Sequence, residues 1–431
     1  MREPAHVASG RASFHPSVRG KLAVALLVLS AVAIAGAVPA SSAPEKERAG
    51  LRHVLFVGNN WDGTADVIVP HGDFERIGRI NIIPDIDERM AEIATDPERL
   101  GYYIAIRELI GEGHDQYVDD MFTTNDGSMV IVSRPSLADV VAIDLQTGEI
   151  AWRFPMEGQR SDHMAVSPDG KTVAVSDSTA NIVHVLDIET GEEKWQFPSG
   201  DSPHENNFSK DGSRIYHASI GMVYTPADEP QADSTKGDRW FEIVNTKTHE
   251  VITRINMGYK LKKAGYPNMS AAVRPMALAP SEHKVYFQVS FFHGFVEYDF
   301  RKGKVTRVAN LPNLVPDMPR EQYVLDSAHH GLAMNAAGTK LCAAGTMDDY
   351  VAIVDRHSFH YKLVFGGEKS YWSTNSRNGR MCFVSWSGSD KISAIRYSDA
   401  KTIAEVPVGD HPQRMRLGVV PRSWPPDSMA P

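Results

Sequence analysis

Seven places in this 431-residue chain put charged, imidazole or aromatic side chains at the start of an apolar strand pattern. They are Asp119-Asp120, Asp162-His163, His204-Glu205, Arg274, His329-His330, Tyr371-Trp372, and His411 with Gln413-Arg414. Neutral imidazoles beside a glutamate or aspartate offer the nitrogen and oxygen donors that zinc, manganese and copper accept. The metal-ligand set read on that basis is His163, His204, Glu205, His330 and His411. The wider ligand-contacting set is Asp120, Asp162, His163, His204, Glu205, Arg274, His329, His330, Trp372, His411 and Arg414. Within it, Arg274 and Arg414 suit carboxylate, phosphate or sulfate groups. No His-x-x-x-His or Cys-x-x-Cys pattern accompanies these residues, and ligands supplied by separate repeats leave no spacing signature. Histidines that merely hydrogen-bond the loops at strand ends are the plainer alternative.

The elements that would position them are repeats. Between residues 114 and 415 one pattern restarts six times, most clearly from His163 to Phe197: an alternating apolar strand, the turn Asp169-Gly170, a second strand, then two more strands around Thr190-Gly191. Each copy predicts one four-stranded antiparallel sheet. Such sheets bury both faces only by stacking on one another, which predicts an all-β, seven-bladed propeller. Blades are read at 114–157, 158–200, 201–257, 266–312, 326–367 and 368–409. The strands in 51–83 lack an inner partner, and the strand at 411–420 lacks a blade; together they supply the seventh sheet and close the ring.

The two faces of that ring are written differently. Short Asp-Gly and Thr-Gly turns occupy one. The links 84–113, 258–273 and 311–327 and the loop 222–238 fall on the other, where every inner strand starts. The first link carries a helical spacing at Ile86, Met90, Ile93 and Ala94. Phe291-Phe-His293-Gly-Phe295 and Tyr224 are read as wall elements on the same side. His184, His249, His357 and His360 are expected to be solvated, and Trp152 and Trp195, at equivalent outer-strand positions, to pack between blades.

Residues 1–43 resemble a signal peptide, with Arg19 and Lys21 ahead of the apolar run Leu22–Val38 and small residues after it; an uncleaved anchor is the alternative. Residues 44–50 then read as linker, 51–420 as propeller and 421–431 as a tail, all outside the cytoplasm. Removing 1–43 deletes four basic groups and one acidic group, taking the net charge from -9 to -12. That acidity leaves no general attraction for nucleic acid, and a membrane would be met only through an uncleaved N-terminal segment. Cys342 and Cys382, in second strands of neighbouring blades, either face each other as a disulfide or point apart as small core residues, the second being preferred.

The run Met164–Val175, MAVSPDGKTVAV, resembles the extracytoplasmic seven-bladed YVTN repeat propellers of the quinoprotein-like superfamily. That resemblance implies the fold over 51–420 and functions ranging over binding proteins, quinoprotein subunits and lyases. Ala142–Trp152 and Val185–Trp195 look like the tryptophan-docking repeat of quinone-dependent dehydrogenases. Those enzymes pair the repeat with adjacent cysteines that this chain lacks, which argues against PQQ. The leading expectation is an exported propeller binding a polar small molecule, glycan or peptide at its mouth. A metal-assisted lyase or hydrolase on a sugar or polyanionic substrate is the second, with Arg274 neutralising a carboxylate and a His or Tyr moving the proton. A scaffold that docks a protein partner is the third.

Overall fold

The computed structural model describes residues 50–222 and 230–430, apart from the side chains of 230, 231 and 233. Seven four-stranded antiparallel sheets form the ring. Blade 1 joins Leu51–Asn59, Thr64–Ile68 and Arg76–Asn81 to the C-terminal strand Pro412–Pro421, and blades 2 to 7 begin with inner strands at Met121, Ser161, Pro203, Val273, Leu332 and Ser370. The closing strand lies innermost in blade 1, with Leu417 opposite Leu55. The ring therefore carries its first and last strands in one sheet, as the unpaired patterns predict.

Alternation builds each blade. In blade 3, Val173 and Val175 join Met164 in the apolar layer shared with blade 2, whereas Ala174 joins Val183, Val185 and Phe197 in the layer shared with blade 4. Turns are set by aspartate: Asp169 accepts from the Lys171 backbone at 3.1 Å and the Ser167 hydroxyl at 2.6 Å, and Gly170 supplies φ +69°. Trp152 packs on Gly191 of the next blade, where a Cβ would come within 2.5 Å of the indole. Trp195 stacks on His249 at 4.3 Å. Both tryptophans are inter-blade packing, as read.

The link after blade 1 folds into α1 (Ile86–Thr95) and α2 (Pro97–Ala105), the second capped by the Asp96 carboxylate on the backbones of Glu98 and Arg99. The signal-like segment and Tyr224 lie outside the described residues. Among those described, no helix is long and apolar enough to cross a membrane.

Two expectations are corrected. Cys342 and Cys382 form a disulfide with Cα atoms 6.5 Å apart; both side chains lie in the apolar layer packed between blades 6 and 7, where the thiols meet. His184 is fully buried rather than solvated, its Nδ1 2.9 Å from Glu193 and its Nε2 3.6 Å from Asp177. A blade's third strand is covered on both faces, so only a paired imidazole fits there.

Candidate functional site

Inner strands deliver the site residues through irregular backbone. Register breaks fall between Ser161 and Met164, Pro203 and Glu205, Val273 and Met276, and Ser370 and Ser373. These intervals contain Asp162-His163, His204, Arg274 and Tyr371-Trp372. A bulge adds a residue and re-aims side chains, so neighbours that would alternate between faces are redirected at the channel mouth.

There His163, His204 and His330, from three different blades and all buried, bring ligand-capable atoms within 4.8 Å of one another. The His163 and His204 ring centroids are 3.7 Å apart, and His330 stacks on Tyr371 at 4.4 Å. Nδ1 of His204 and Nδ1 of His330 are buried with no hydrogen-bond partner. His163 is fully engaged: its Nδ1 is 2.7 Å from Glu205 Oε2, and its Nε2 accepts from Arg414. Arg414 also donates to Asp119 at 3.1 Å and lies over the Trp372 ring at 4.0 Å. Arg416 binds Asp120 through two contacts of 2.7 and 2.8 Å, and Arg160 pairs with Asp162.

Burial sets the electrostatics. It pushes all three imidazoles well below their ordinary value, helped by Arg414 and, at His204, first by Arg274, so they remain neutral at physiological pH. The same burial lifts Glu205 to about 7 and Asp119 to about 6, Arg414 opposing both shifts. Neutral imidazoles keep the lone pairs that a metal requires.

The cluster opens on a cavity of about 290 Å³ whose wall includes Arg160, Asp162, Arg274, Tyr371 and Gln413. Glu108 to Ile110 from the first long link and Glu321, Tyr323, Leu325 and Asp326 from the third complete it. The long links thus meet the mouth. Five carboxylates (Glu108, Asp119, Asp162, Glu321, Asp326) and two guanidinium groups (Arg160, Arg274) line it. Two of these carboxylates are matched by guanidinium groups, Asp162 by Arg160 and Asp119 by Arg414.

Of the residues that the sequence places at the mouth, Asp119, Asp162, His163, His204, Arg274, His330, Tyr371 and Gln413 face this cavity. Asp120, Glu205, Trp372 and Arg414 stand behind them as partners. His411 lies elsewhere, stacked on Trp61 at 3.8 Å with His114 on the indole's other face at the same distance. His329 turns to Asp348 and His293. Phe291 and Phe292 wall a different cavity, of about 330 Å³, with Tyr266 and Arg320. Sequence reasoning missed Arg160, one residue before an inner strand, and Tyr323 and Asp326, which sit in a link without periodicity.

A family model described as outer membrane protein assembly factor BamB matches residues 120–233, the stretch holding the two clearest repeats. That match and the seven-bladed ring support the quinoprotein-like propeller superfamily; neither carries the finer YVTN assignment. The chain is similar to the solved structure of Kuenenia stuttgartiensis hydrazine synthase, with 14% identity, a TM-score of 0.53, and coverage of 71% of this chain and 96% of that one. At that identity the likeness is one of fold. No curated protein matches the chain.

Proposed function

We propose that the mouth is a mononuclear divalent-metal centre held by His163, His204 and His330, whose remaining coordination positions take a small polar ligand from the cavity. The observation that carries this is the convergence of three neutral, buried imidazoles from separate blades, two of them with unpartnered Nδ1 atoms. The donor set suits zinc, copper or manganese. Glu205 holds His163 as outer carboxylates hold metal-ligating histidines, donor on one nitrogen and lone pair on the other. That lone pair now accepts from Arg414, so a metal taken up on His163 would have to displace the guanidinium, which already donates to Asp119 Oδ1 at 3.1 Å and would have the unpartnered Asp119 Oδ2 to move onto.

The acidic wall favours a neutral or weakly charged ligand over a polyanion, with the metal supplying Lewis acidity if the ligand reacts. A metal-free polar-ligand receptor is the second reading, favoured by the Arg414 contact on His163. Work outside the cytoplasm is supported by the Cys342–Cys382 disulfide and the signal-like segment Leu22–Val38, and the YVTN-like repeat fits the same setting. Elemental analysis of the purified chain tests the reading. About one metal per chain is expected, with loss in both His204→Ala and His330→Ala; a metal-free wild type that still binds ligand supports the receptor instead.

A further inference from the structure

Beside the centre, one carboxylate braces two imidazoles. Asp348 accepts the Leu314 backbone on Oδ1 at 2.7 Å, while its Oδ2 lies 2.6 Å from His293 Nδ1 and 3.0 Å from His329 Nε2. All three residues are buried. An ionised carboxylate only accepts, so His293 carries its proton on Nδ1 and leaves Nε2 as an acceptor. The Tyr323 hydroxyl sits 3.0 Å from that Nε2 and therefore donates to it. Its oxygen keeps its own lone pairs, and Tyr323 lines the same cavity as His204 and His330.

The backbone that presents this tyrosine is unusual. Leu325 and Asp326, two and three residues on, hold left-handed conformations at φ 50° and 55°. Backbone outliers of this kind persist where the surroundings over-determine them, commonly beside functional sites. Here Asp348 ties down both ends of the link, at Leu314 and, through His293, at Tyr323.

We propose that Tyr323 relays a proton from a ligand bound at the three-histidine centre to His293, the terminal base, with Asp348 as the positioning residue; the proposal rests on the metal-centre reading. The ligand's O–H or N–H bond breaks and its proton goes to Tyr323 Oη. The tyrosine's own proton passes to His293 Nε2, and Asp348 balances the imidazolium so formed. No oxidant or second reactant is needed.

The test uses zinc-loaded full-length protein and benzohydroxamic acid, a chelator that loses one proton on binding a metal. Calorimetry in phosphate and in Tris counts the protons released to buffer. The wild type is expected to release close to none near neutral pH. Tyr323→Phe, and His293→Gln, which retains a side-chain amide but cannot accept the proton, are expected to release close to one, with roughly tenfold weaker binding. Equal counts in all three proteins with zinc bound overturn the relay alone. Failure of the wild type to take up zinc overturns the centre and the relay with it.

Discussion

His163, His204 and His330 are separated by 41 and 126 positions yet meet at one point, because each stands where an inner strand reaches the mouth. That much follows from counting repeats. The divergence of His329 from His330 does not: adjacent residues leave a strand on opposite sides, and which one turns inward depends on local backbone. His411 precedes the closing strand as the other mouth residues precede theirs, but its left-handed φ of 53° accompanies a turn onto Trp61. Glu205, a ligand candidate by its residue type, acts on His163. Replacing Glu205 with Gln keeps an acceptor for Nδ1 but removes the charge, and is expected to weaken metal binding about tenfold. Competition with a chromophoric chelator measures that change.

Among the elements, the strands were legible and their bulges were not. Alternation of apolar residues identifies a strand, but the extra residue at Asp162-His163 or Tyr371-Trp372 is polar or aromatic either way and leaves the pattern intact. The long links declared themselves by length; Tyr323 and Asp348 gave no signal because their meeting depends on how 311–327 folds back. Inside blade 5 a buried network illustrates how these sheets hold polar groups. Glu297, 1% exposed at its side chain, accepts from Lys284 at 2.8 Å, Thr306 and Tyr286 at 2.6 Å, and Arg307. Burial raises its pKa, but those hydrogen bonds outweigh it and hold the group down at about 2. Because the folded value lies below the unfolded one, the stabilisation is present above about pH 4.5 and drains away as pH falls toward 2. Glu297→Gln should therefore cost about 2 kcal/mol at pH 7 and much less at pH 2.5, read from urea denaturation at both values.

At the scale of the whole molecule, two devices tie the ring together. The shared sheet of blade 1 joins the chain ends, and Cys342–Cys382 links blades 6 and 7 across a sequence separation of 40. Closing a loop of that length restricts the unfolded chain, so Cys342→Ser is expected to lower stability by about 4 kcal/mol in oxidising buffer, with little difference from the wild type once reductant is present. Denaturant unfolding under both conditions checks it. A ring held in this way keeps seven inner strands in register, and that register brings three distant imidazoles to one mouth. The most direct measurement is an anomalous-difference map from crystals of the zinc-loaded protein, collected above and below the zinc absorption edge. One peak about 2.0–2.1 Å from a nitrogen of each of His163, His204 and His330 is the predicted result; no peak at the mouth, with Arg414 still donating to His163, would contradict the metal centre.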